Sequence, residues 1–232
     1  MRYSILLLGI IVIILLSLPH MMKTTKFVYN YSELKGVHKT KEYRTHFRNF
    51  SLNRIEKEVY DLVNEIRKEH GVGILGWNPD LAYVARKHSQ DMAENDFFDH
   101  VNLKGEKAVD RLKNEGIYYY NATAENIAYG SAIKSYLIDQ FGNKIDIKYR
   151  TEDELALDAV RGWMNSTPHR ESILNPEYTE TGVGVVLDPD DNLTYYFTQL
   201  FITRVYCGYL GAECCEGGGC YLPAVCRDGI CE

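Results

Sequence analysis

Three short stretches place titratable side chains beside bulky apolar ones: Phe98-Asp-His100, Ala124-Glu-Asn-Ile127 and Trp163-Met-Asn-Ser-Thr-Pro-His-Arg170. Each joins a group able to move a proton or bind a ligand to an anchor that can hold it in place. Taken singly, such residues have plainer roles, since a His before a loop is usually hydrogen-bonded or exposed, and a Glu before Asn-Ile is often a cap. Ser166 and His169 are spaced like helix neighbours, which permits a Ser–His nucleophile pair, although no acid partner or oxyanion-hole motif accompanies them. His88 is expected on the buried face of a helix as a hydrogen-bonded residue. The carboxylates of Asp188-Pro-Asp-Asp-Asn192 can bind calcium, but a solvated turn explains them more simply.

The six cysteines all fall near the end, at Cys207, Cys214, Cys215, Cys220, Cys226 and Cys231. An even number at close spacing, in a segment too short to bury a core, predicts three disulfides whose connectivity the spacing leaves open. Zinc is a poor alternative, because this tail has no Cys-x-x-Cys pair and no histidine. Residues 50–206 contain no cysteine, which excludes a thiol nucleophile there.

The elements that must position these groups are legible in the apolar pattern. Ile55, Val59, Leu62, Val63 and Ile66 recur with helical period over 52–70, and Gly71 supplies a stop. Trp77-Asn-Pro-Asp reads as a cap with proline at the first helical position, opening a helix to about Asn95. A short helix is expected over 107–115, closed by Gly116, and Thr151-Glu-Asp-Glu154 forms a capping box before a helix through Trp163. Pro168 then permits a further helical turn containing His169. Residues 182–187 and 193–201 are rich in strand formers and read as a hairpin, whereas 131–150 carries no clear pattern. Helices early and strands late predict an α+β domain.

In this order, Asn64-Glu-Ile-Arg67, Leu75-Gly-Trp-Asn78, Phe98-Asp-His100, Glu125-Asn-Ile127, Trp163-Met-Asn-Ser-x-x-His-Arg170, Gly182-Val-Gly184 and Tyr196-Phe-Thr-Gln199 resemble the CAP superfamily of cysteine-rich secretory, antigen 5 and pathogenesis-related proteins. The resemblance implies a three-layer α-β-α sandwich with a cleft where the His and Glu motifs meet. The cleft residues carried over are His100, Glu125 and His169. Two imidazoles and a carboxylate suit a divalent metal such as zinc, or act without metal as acid and base. The chain departs from the animal and plant pattern, which places a second glutamate where Ser166 stands, and is similar to the prokaryotic version. Asn165, Ser166 and Asp110 are further candidates, with Asp110 expected to cap its own short helix. The tail resembles small knotted modules that bind or protect.

Export is expected from the N-terminus, where Met1 and Arg2 precede an apolar run over residues 5–18. Residues 1–22 then form a cleaved signal peptide or a retained membrane anchor, the run being shorter than the roughly 20 residues of a comfortable span. Residues 23–50 carry seven basic and two acidic side chains and read as a flexible spacer, either solvated or touching an anionic surface. The family-like domain covers 51–205 and the cysteine-rich module 206–232. A net charge of −6 gives no support to a nucleic-acid partner. The expected function is an extracytoplasmic module, secreted or held at the membrane, that binds a lipid, an envelope polymer or an extracellular protein. The alternative is a metal-dependent hydrolase or peptidase using the same cleft.

Overall fold

The computed structural model describes residues 50–188, 193–208, 213–214, 220 and 224–232. The expected targeting segment, nearly all of the spacer, Cys215 and residues 189–192 of the acidic turn lie outside these. Among the described residues, no helix is long and apolar enough to cross a membrane.

Local side-chain chemistry starts the helices. Ser51 Oγ accepts from Arg54 N at the head of α1 (Leu52–Glu69). Asn78 Oδ1 accepts from Asp80 N and Leu81 N ahead of α2 (Pro79–Glu94), with Pro79 in the first turn, where its missing N–H is not needed. After α3 (Ala108–Asn114), Gly116 takes a positive φ of 76° that ends the turn. The capping box is formed: Glu154 N donates to Thr151 Oγ1 and Thr151 N to Glu154 Oε2, opening α4 (Glu152–Asn165), and α5 (Thr167–Leu174) follows.

The strands are β1 (Gly76–Trp77), β2 (Tyr120–Ser131), β3 (Ile133–Ile138), β4 (Lys144–Tyr149), β5 (Glu180–Asp188), β6 (Thr194–Arg204), β7 (Cys226–Arg227) and β8 (Ile230–Cys231). The main sheet has the order β1-β5-β6-β2. β5 and β6 form the expected hairpin, in register from Glu180 opposite Ile202 to Asp188 opposite Thr194. The patternless stretch 131–150 folds as the β3–β4 hairpin, which joins no strand of the main sheet.

The sandwich has α2 on one face, close against the strands. A Cβ added to Gly182 would meet Ala82 N at 2.2 Å, and one added to Gly184 would meet Arg86 N at 2.1 Å, so only glycine lets the helix lie there. Leu81, Val84 and Ala85 pack with Leu112, Ile117, Leu200 and Ile202 on this side. In the other layer α1 packs on β5, and α4 and α5 pack on β2.

Two buried charges of α1 tie the scaffold together, one within its own layer and one across to α2. Arg67 of α1 is fully buried and donates to the carbonyls of Gly73, Ile173, Asn175 and Tyr178, which fixes the end of α5 and the chain leaving it. Its burial pulls the guanidinium pKa below the ordinary value. Glu56 of α1 receives Arg86 Nε and Nη2 at 2.6 and 2.5 Å and Val185 N at 3.2 Å, so an α1–α2 ion pair caps β5 beyond its short pairing with β1.

In the tail, Cys214 pairs with Cys226 and Cys220 with Cys231, two bridges that overlap in sequence and each end on one strand of the small β7–β8 ribbon. Cys207 is disulfide-bonded as well.

Candidate functional site

β2 is the last strand of the sheet, and the three sequence candidates meet beside it. Glu125 stands opposite Leu200 in the β2–β6 register, so its side chain leaves on the face that α2 covers. The next residue, Asn126, points to the other face, where its Nδ2 donates to the carbonyl of His169 at 3.1 Å. Trp163 Nε1 donates to Ile127 O at 3.0 Å and seats α4 against the same strand. His100 comes from the loop after α2 and His169 from α5, and their ring centroids lie 6.4 Å apart. The two imidazoles thus arrive from opposite layers of the sandwich.

The chemistry centres on Glu125, whose side chain is 5% exposed. Arg111 Nη2 donates to Oε2 at 2.5 Å, and His100 Nδ1 meets Oε1 at 2.9 Å. Arg111 also donates to the carbonyls of His100 and Glu106, so α3 holds both the carboxylate and the loop that carries its partner. The hydrogen bond to Glu125 raises the pKa of His100, with partial burial opposing it. His169 is shifted the other way, first by burial and then by the charge of His100.

His88, expected to be buried and hydrogen-bonded, donates from Nε2 to Asp99 O at 3.0 Å, and its Nδ1 has no hydrogen-bond partner. Burial lowers its pKa despite the nearby Glu125. A neutral His88 therefore fixes the carbonyl just before His100. A polar cavity of about 400 Å³ behind this network has His88 and Arg111 in its wall, together with Lys87, Asp91 and Glu106.

As a metal centre the trio fits poorly. Both oxygens of Glu125 already face cationic or hydrogen-bonding partners, which leaves two imidazoles as the pair presented to the cleft. Among the described residues, the one set of His, Cys, Asp or Glu atoms that converges like metal ligands is Cys214, Cys220 and Cys231, whose sulfurs are in disulfides.

The other candidates stand aside from this cleft. Asp110 Oδ2 accepts from Lys107 N as a cap of α3. Asn165 ends α4 and is exposed. Ser166 joins α4 to α5 through its backbone, and among the described residues it makes no hydrogen bond to His169. Sequence reasoning missed Arg111 and Asn126. Asn126 lies within a quoted motif and Arg111 follows the candidate Asp110, but their roles depend on contacts across the fold.

The model of the cysteine-rich secretory protein family, CAP, matches residues 60–201 and so includes all three cleft residues. The chain belongs to the CAP family. It is similar to two proteins of Bacillus subtilis (strain 168). One, named "Uncharacterized membrane protein YlbC", is 39% identical over 149 residues, which make up 64% of this chain and 34% of that protein. The other, named "Uncharacterized protein YkwD", is 35% identical over 136 residues, 59% of this chain and 44% of that protein. The chain thus spans less than half the length of either of these proteins. Among solved structures it is similar to an extracellular protein containing a SCP domain from Bacillus anthracis str. Ames, with 28% identity, a TM-score of 0.51, and coverage of 73% of this chain and 45% of that one.

Proposed function

We propose that this CAP-family chain works outside the cytoplasm as a ligand-binding module whose His100–Glu125–His169 cleft takes an acidic group of an envelope polymer. The supporting observation is the occupancy of Glu125, which is buried and engaged on both oxygens by Arg111 and His100. A carboxylate so held is spent on orienting and charging His100, not on activating a water. An imidazole that donates Nδ1–H to a carboxylate and carries a raised pKa offers an Nε2–H donor and a positive charge to an anion. The disulfide-bonded tail calls for an oxidising compartment. The naming of similar proteins as a membrane protein and an extracellular protein agrees with this location. An N-terminal anchor followed by the basic spacer would hold the domain near such a polymer.

The test is calorimetric titration of the full chain with tetragalacturonate, a soluble acidic oligosaccharide, at about pH 6 and about pH 8. Binding is expected to be tighter at the lower pH and to lose that dependence in His100→Ala. Equal affinity at both pH values, unchanged in the variant, sinks the reading.

A further inference from the structure

Beside the cleft lies a pair of aromatic rings that the charge network does not use. Phe98 is 43% exposed and Tyr129 64% exposed, and their rings meet edge to face with centroids 4.8 Å apart. Tyr129 stands opposite Tyr196, as Glu125 stands opposite Leu200, so the alternation along β2 puts Tyr129 on the same face as Glu125 and Ile127. Phe98 precedes His100 by two residues in the same loop. Tyr129 therefore lies four residues of extended strand, or about 13 Å, along β2 from Glu125, with the exposed His100 and Phe98 on the loop beside it.

We propose that Phe98 and Tyr129 form a saccharide subsite that stacks against a sugar ring of the polymer whose acidic group sits at His100. This rests on the cleft reading above and names the chemistry of the remainder of the ligand. Two large aromatic side chains left in water and packed on each other offer a ready contact surface. An edge-to-face pair leaves one ring face free, and such a face suits the C–H side of a sugar ring while the hydroxyls stay in water. An acyl chain would instead require an enclosed apolar groove, and these rings stand open beside the exposed Asp99 and His100. That separation along β2 suits a short run of linked rings, with the acid at His100 and the stack at the aromatic pair.

The experiment titrates the full chain with tetragalacturonate and with neutral chitotetraose, for wild type, Phe98→Ala, Tyr129→Ala, Tyr129→Phe and His100→Ala. Either alanine in the aromatic pair is expected to weaken both oligosaccharides about three- to tenfold, whereas Tyr129→Phe keeps the stacking face and the affinity. His100→Ala is expected to weaken the acidic oligosaccharide alone. If Phe98→Ala and Tyr129→Ala leave both affinities unchanged while His100→Ala still weakens the acidic one, the subsite is wrong and the cleft reading survives. If the aromatic variants weaken both and His100→Ala weakens neither, the subsite stands and the cleft reading fails. Absence of binding by either oligosaccharide, or Tyr129-dependent binding to phosphatidylglycerol vesicles in its place, overturns the saccharide assignment.

Discussion

Two buried carboxylates pair with arginines towards opposite edges of the sheet, and they differ in their third partner. At the β5 side, Glu56 and Arg86 are completed by the backbone N–H of Val185, so every partner of the carboxylate belongs to the scaffold. At the β2 side, Glu125 and Arg111 are completed by His100, whose side chain is 51% exposed. The first arrangement is closed and its energy goes into tying α1, α2 and β5 together. The second is open at one end, so the same kind of ion pair transmits its charge to a group that solvent and ligands reach. A buried salt bridge is thus weak evidence of function by itself, and the identity of the remaining contact decides its role.

The largest effects should come from breaking each pair by one partner. Glu56→Ala leaves Arg86 without its carboxylate partner, and Arg111→Met leaves the buried Glu125 with His100 alone to offset its charge, so each is expected to lower stability by about 3 kcal/mol in urea unfolding. The comparison predicts a split in binding, with tetragalacturonate affinity kept in folded Glu56→Ala and lost in Arg111→Met. Equal losses in both would erase the distinction between the two edges.

A smaller stability change, about 1 kcal/mol, is expected for Glu125→Gln, which keeps the shape and part of the hydrogen bonding. NMR titration should show the His100 pKa falling back towards that of a free imidazole, while the corresponding Glu56→Gln leaves it in place. The pH dependence follows in sign. Because the folded pKa of His100 is raised, its contribution to stability is fully present below the unfolded value of about 6.5 and is lost as pH rises through the folded one. That loss should disappear in Glu125→Gln, as read from urea midpoints across the range. The smallest effect belongs to an exposed pair: Lys134→Ala, which removes the contact to Glu154 at the base of the hairpin, should change stability by less than about 0.5 kcal/mol and binding not at all.

Much of the scaffold was legible because its signals are local. The Asn78-Pro79 cap and the Thr151–Glu154 box each satisfy backbone groups within three residues of themselves, and the structure forms both. His100, Glu125 and His169 were legible through the family motifs, and the fold brings them to one strand. The rest depends on partners far apart in sequence. Arg111 lies beside Asp110, which drew attention as a carboxylate, yet it is Arg111 that reaches Glu125 from α3. The β3–β4 hairpin was missed because Leu137, Ile138 and Ile145 are exposed in it, so no buried face imposed an apolar period. Tyr129 was one of 18 tyrosines. Only its contact with Phe98 at the cleft separates it from the others.

The interleaving of the tail disulfides bears on survival among extracellular proteases. Since Cys214–Cys226 and Cys220–Cys231 overlap, any single backbone cut between Cys214 and Cys231 falls inside at least one loop. A nick there adds one water to the mass and releases no fragment until a reductant opens the bridges. The module can therefore be cleaved without being shed, and intact-mass measurement before and after reduction would register the difference.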